Sequence, residues 1–239
     1  MCTLVLLLRP GELLAVSGNR NELLSRPASG PGVSDGVLAP RDELAGGSWL
    51  GLNRHGLFVC VTNRRGAMVD PSRKSRGLLV IEALKARSAS GLRAAMEELH
   101  GDRHNGFHLA YADLRDAFVT WGDGLMVRHE RLDPGRVQVI TERSFGAGEG
   151  ERERTVTAAF EGLPLDLQAW REPMRTHAAE PLESACVHAD AIGYGTRSSL
   201  QLFVRPSGAE GLWTEGRPCV NLPYSLAPLI SSLGIDTSR

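Results

Sequence analysis

The chain has 239 residues, with 27 basic and 28 acidic side chains and a formal net charge of -1. That length supports one large core or two small ones, and without an internal repeat or a compositional break it reads as a single domain over residues 1–239. No block of like charge is long enough to form a nucleic-acid arm or an acidic tail, so neither nucleic acid nor anionic lipid is expected as a partner.

The first element is the apolar run from Cys2 to Leu8, closed by Arg9. It is too short to cross a bilayer, no other run is longer, and no basic stretch precedes it; it reads as a buried strand, with no transmembrane segment expected. The four cysteines, at 2, 60, 186 and 219, form no CxxC pair and are sparse for a secreted scaffold, which predicts reduced thiols and a cytoplasmic location. Cys60, inside GLFVCVTN, reads as a small core residue of a strand.

CTLVLLLR and ELLAVSGNR flank the turn dipeptide Pro10-Gly11 and predict a β-hairpin. A Pro/Gly/Ser-rich loop is expected over 25–40, and SWLGLNRHGLFVCVTN then reads as two strands joined at 53–56. Leu79, Ile81, Ala83 and Leu84, followed by Leu92, Ala95, Met96 and Leu99, predict two helices broken near 88–91. GFHLAYAD, AFVTWG, GLMVRHERL and VQVIT then read as a meandering antiparallel sheet. The pattern is helical again over 154–170, and ESACVH, SSLQLFVR and EGLWTEG are late strands. This order predicts an α+β fold of two stacked, mostly antiparallel sheets with helices outside.

Several motifs resemble chemistry without its context. GVSDG at 32–36 has the spacing of a serine nucleophile elbow but sits in the Pro/Gly-rich loop rather than between a strand and a helix. GAGEGE at 146–151 lacks the third glycine of a dinucleotide loop, and Glu149, Glu151 and Glu153 would repel a pyrophosphate. His100, His104 and His108 recur every four residues, yet Gly101 and Asn105-Gly106 break the helix that would align them. No metal site is expected.

Cys2 is different. Once Met1 is removed, a terminal cysteine carries its own base, because an α-amino group titrates at about 7.7–8.0 and can accept the thiol proton. The hairpin would bring Arg20, of GNRNE, close to Cys2, with Asn21 or Glu22 to hold it; the competing reading of that stretch is a polar strand end with a surface Arg–Glu pair.

MCTLVLL, LLAVSGNRNE, RDELAGGSWLGLNRHGLFVCVTNRR, SRG, NGF and ESACVHADAIGYGTRSSLQLFV occur in this order. Together they resemble the NRDE family, that of the eukaryotic transport and Golgi organisation protein 2. The match is good over 1–77, thinner in the middle, and returns at 183–205. Two departures stand out: Asn21 replaces the family's usual aspartate, and TERSFGAGEG stands where the family has an SN segment followed by a proline-tryptophan run.

The resemblance implies the four-layer αββα sandwich of the N-terminal nucleophile hydrolases, as in bile-salt hydrolases and penicillin V acylases. By that resemblance Cys2 is the catalytic nucleophile, with Arg20, Asn105 and Arg197 completing the catalytic set and Asn63 the second choice for the asparagine. Asn19, Asn21, Glu22 and Asn63 are expected to bind substrate. The implied activity is hydrolysis of a non-peptide amide C–N bond in a small molecule, with no cofactor required.

The same resemblance supports an alternative, a non-catalytic carrier of heme, or of acyl lipid or acyl-coenzyme A in lipid metabolism. For heme, Cys186 and His188, one residue apart on the expected strand, form the attractive soft pair, and Cys2 is a further thiolate. A structural or interaction protein is the third reading. The hydrolase is preferred because Cys2, Arg20 and Arg197 are all present.

Overall fold

The computed structural model describes residues 2–67, 69–148 and 150–236. The chain begins with β1 (Thr3–Arg9) and β2 (Leu13–Leu23), the hairpin expected around Pro10-Gly11. β3 (Ala28–Ser34), β4 (Val37–Asp42), β5 (Leu50–Asn53) and β6 (Phe58–Asn63) follow, then α1 (Arg76–Ala83) and α2 (Ala89–Ala95). Next come β7 (Phe107–Ala112), β8 (Ala117–Gly122), β9 (Val127–Arg131), β10 (Gln138–Ile140), α3 (Glu151–Phe160) and α4 (Leu167–Arg171). The described chain closes with β11 (His188–Ala189), β12 (Tyr194–Arg205), β13 (Gly208–Glu215), β14 (Tyr224–Ser225) and α5 (Ala227–Leu233).

Two antiparallel sheets result. One has the order β10-β1-β2-β12-β13-β14, with β11 paired to β12; the other runs β3 to β9 in chain order. Three apolar clusters separate four layers. Leu4, Leu6, Leu8, Val16, Leu52, Phe58, Cys60 and Leu202 fill the space between the sheets. Val59, Val61 and Leu109 pack under α1 and α2, and Val5, Leu7, Ala15 and Phe203 pack under α3 and α4. The unbroken apolar run of β1 follows from this arrangement: a strand covered on both faces must be apolar at odd and even positions alike. The fold is therefore the expected α+β sandwich of stacked antiparallel sheets between helical layers.

Some local expectations are corrected. Residues 25–40 contain the hairpin β3–β4 rather than a loop. Its turn is Asp35-Gly36, with φ values of 52° and 72°, the double left-handed geometry that matches strand twist, and this is what GVSDG encodes. β10 leaves the β7–β9 meander and joins β1 in the other sheet. ESACVH is extended only at His188, because 181–183 form a turn of 3-10 helix. The 154–170 helix is two helices, split around Pro164. His104 caps the Lys74 carbonyl at 3.0 Å while His108 lies in β7, so these histidines share no helix. Glu149 of GAGEGE lies outside the described residues.

Candidate active site

The hairpin register pairs Thr3 with Asn19, and one step further it places Cys2 opposite Arg20. On the other flank of β2, Arg20 pairs with Ser198 across a bulge that sets Arg197 out of register. β10 pairs Leu4 with Ile140, so two residues on, Glu142 approaches the same end of β1. Cys2 is thus bracketed by an arginine and a glutamate from its two neighbouring strands.

Side chains alternate along β2, and this decides which predicted residues meet Cys2. Arg20 faces the space between the sheets, where Cys2, Arg20, Trp49, Cys60, Ser198 and Trp213 surround a cavity of about 10 Å³. That is room for about one water. Asn19 and Asn21 turn the other way. The Asn19 amide donates to the carbonyls of Met174 and Ala185, both at 2.8 Å, and the Asn21 carbonyl Oδ1 accepts from Thr196 Oγ1 at 2.7 Å. Asn19, which also borders the cavity, ties β2 to the 174–185 segment, and Asn21 ties it to β12.

Arg20 is 5% exposed, and its guanidinium carbon lies 4.2 Å from the centre of the Trp49 ring. Its Glu22 partner is distant at 3.9 Å, and Nη1 is buried with no hydrogen-bond partner among the described residues. Burial lowers the Arg20 pKa below the ordinary arginine value; Cys2, Glu22 and Asp42 oppose that and Arg197 adds to it. Trp49 Nε1 is a second buried donor without a partner among the described residues. A buried unpaired donor is costly, so two on one cavity wall mark a place suited to an acceptor from outside the fold.

A second arginine serves the site. Arg76, at the start of α1, donates to the Gly106 carbonyl at 2.9 Å; burial lowers its pKa while Cys2 and Glu22 raise it. The SRG and NGF motifs therefore meet in space, a contact their separation in sequence conceals. Beneath Cys2, buried Arg152 reaches Glu142 Oε1 at 3.3 Å, the Leu182 carbonyl at 2.7 Å and Thr3 Oγ1 at 3.4 Å. Glu142 Oε2 is buried without a partner among the described residues. Glu142 belongs to the TERSFGAGEG segment that departs from the family pattern, so sequence comparison passed over it.

The other candidates lie further out. Arg197 holds the chain after β2, donating from Nη1 to the carbonyls of Leu23 (3.2 Å), Leu24 (2.6 Å) and Arg26 (2.9 Å). Asn105 has its amide oxygen and nitrogen engaged with the Asp70 backbone, at 2.8 Å each, so it fastens the loop at Asp70. Asn63 is exposed at the end of β6 and lines a hollow of about 320 Å³ together with Arg64, Arg65, Glu142 and Arg143. Cys60 is a core residue as expected, and burial, with Cys2 adding to it, raises its thiol pKa well above the usual value. A hollow of about 720 Å³ between β3–β4 and α1 has no cysteine among the residues described in its wall. Met1, whose removal would free the Cys2 amine, lies outside the described residues, and among the described residues no helix is long and apolar enough to cross a membrane.

Residues 1–147 match the family model described as Transport and Golgi organisation 2. The human Transport and Golgi organization protein 2 homolog is 30% identical over 161 residues, which cover 67% of this chain and 53% of that protein. The mouse homolog is 29% identical over 138 residues, 58% of this chain and 45% of its own length. The chain thus spans about half the length of the curated relatives it matches. Among solved structures, the Caenorhabditis elegans N-acylethanolamine-hydrolyzing acid amidase ortholog superposes with a TM-score of 0.58 at 13% identity, covering 84% of this chain and 92% of that one. Penicillin V acylase from Agrobacterium tumefaciens gives 0.52 at 12%, covering 100% and 89%. These likenesses are of fold, and the fold is that of the N-terminal nucleophile hydrolases.

Proposed function

The chain belongs to the Transport and Golgi organisation 2 family, and from that premise we propose that it hydrolyses a non-peptide amide bond with Cys2 as nucleophile. The observation that carries this reading is that Cys2 shares a cavity with buried Arg20, opposite it by continuation of the hairpin register, while Arg20 Nη1 has no acceptor among the described residues. An amidase and an acylase are named among the proteins sharing the fold, which accords with the reading.

With Met1 removed, the Cys2 α-amine takes the thiol proton and the thiolate attacks the amide carbon. The developing oxyanion accepts from Arg20 Nη1, and Trp49 Nε1 is the second donor on that wall. The protonated amine then returns its proton to the leaving nitrogen, the C–N bond breaks, and water hydrolyses the thioester to a carboxylic acid. Glu142, by its free buried oxygen, holds the ammonium form of the Cys2 amine. Arg76 adds positive charge close to Cys2.

Intact mass of the purified protein tests the premise of this chemistry, and turnover of a panel of fluorogenic N-acyl amides tests the reaction. Loss of one methionine together with turnover that disappears in Cys2→Ala supports the reading. A full-length mass with no turnover overturns it and returns the carrier of heme or acyl lipid as the better account.

A further inference from the structure

His177, Cys186, His188 and Cys219 each offer one donor atom, and these four atoms all lie within 4.8 Å of one another, away from Cys2 and its cavity. The Cys186 and Cys219 sulfurs are 3.4 Å apart; His188 Nε2 lies 3.1 Å from Cys219 Sγ and 3.7 Å from Cys186 Sγ. His177 completes the set, its ring edge-on to His188 with centroids 4.7 Å apart. We propose that these four side chains form a tetrahedral binding site for a zinc ion.

The geometry fits. Zinc–sulfur bonds of about 2.3 Å and zinc–nitrogen bonds of about 2.0 Å, at the tetrahedral angle, place two sulfurs about 3.8 Å apart and a sulfur and a nitrogen about 3.5 Å apart. The three edges among Cys186, His188 and Cys219 fall within about half an ångström of these values, and the exposed His177 ring, its donor atom within 4.8 Å of the others, closes on them by side-chain rotation. Two thiolates and two neutral imidazoles balance the charge of a divalent cation, which suits a place where Cys186 is fully buried and His188 and Cys219 are half-buried. Binding releases the two thiol protons. The donor set, soft sulfur with imidazole, selects zinc over magnesium or calcium.

Three of the ligands come from separate segments that are already held in place. The Cys186 amide donates to the Thr176 carbonyl at 3.0 Å, and His188 lies in β11 opposite Gly195 of β12. The turn bearing Cys219 is fastened by Arg171, which donates to the carbonyls of Pro218 (2.7 Å) and Asn221 (2.8 Å). Four protein ligands leave no open position, the mark of a structural site. Zinc here clamps the 177–188 segment and the 216–221 turn to the end of β12. That end carries Thr196, the partner of Asn21 in the strand that bears Arg20. The clamp does not depend on Cys2 being a nucleophile.

The test uses the whole chain, reduced, stripped with a chelator and titrated with Co2+. One equivalent should bind, with the intense visible bands of a tetrahedral site and thiolate-to-cobalt charge transfer in the near ultraviolet, both bleached by Zn2+. Cys186→Ser and Cys219→Ser should each lose the charge-transfer signal while Cys60→Ser keeps it. Folded, reduced wild-type protein that develops no such bands overturns the proposal, as do bands that survive in both serine variants. A thiol count two short per chain, restored by reductant alone, also overturns it, because the two sulfurs would then be a disulfide.

Discussion

Arg20 lies over Trp49, 4.2 Å from guanidinium carbon to ring centre, with one buried nitrogen unpaired among the described residues. Taking a cation out of water without a full set of acceptors costs stability, so the fold tolerates this arginine for another reason. Replacing it with an apolar side chain of similar length should separate the two contributions. In Arg20→Met, amide turnover is expected to fall by about 10² to 10³, the effect of losing one oxyanion donor, while the unfolding midpoint in urea stays level or rises. A drop in both by comparable amounts would make Arg20 a structural residue.

Cys2 and Cys60 line the same small cavity but differ in burial, Cys2 being half-buried and Cys60 only 4% exposed. Iodoacetamide acts on an accessible thiolate, and burial keeps the Cys60 thiol protonated. Peptide mapping after brief alkylation of the native protein should find the label on Cys2 and none on Cys60. Cys60→Ala should lower stability by roughly 1–2 kcal/mol and leave turnover standing.

Asn19 has a structural task that can be measured. Its amide serves two buried carbonyls 155 and 166 residues away in sequence. Asn19→Ala leaves both unsatisfied and should cost about 2–3 kcal/mol in chemical denaturation, with the 174–185 segment exchanging its amide protons faster. A loss of turnover without this destabilisation would instead place Asn19 in contact with substrate.

His108 predicts an acid limb of stability. Burial, reinforced by Arg64, lowers its pKa to about 4 in the folded protein, against about 6.5 in the unfolded chain. Below about pH 6.5 the unfolded state therefore binds a proton that the folded state refuses, and stability is lost as the pH falls from about 6.5 to 4. That window is worth roughly 3 kcal/mol for this residue. Denaturation midpoints of wild type and His108→Asn, compared across the window, should diverge at neutral pH and draw together toward pH 4.

The hairpin and, through it, the partnership of Cys2 with Arg20 are legible in the order of residues alone. Both strands are short apolar runs around a turn dipeptide, and pairing across a tight turn is set by local geometry alone. The α+β class is legible there too, because alternating blocks of strand and helix patterning admit few packings. The β3–β4 hairpin was hidden by composition: its glycines and prolines read as loop, although Asp35-Gly36 is a strong hairpin turn. Tertiary structure alone decided the rest. Which face of β2 meets the second sheet sends Arg20 to Cys2, Asn19 to the 174–185 segment and Asn21 to Thr196 of β12. The crossover of β10 brings Glu142 to the same strand end, and α1 brings Arg76. Cys186 and Cys219 meet across 33 residues for the same reason. Contacts of this kind arise where non-adjacent strands share an edge, and no spacing along the chain encodes that.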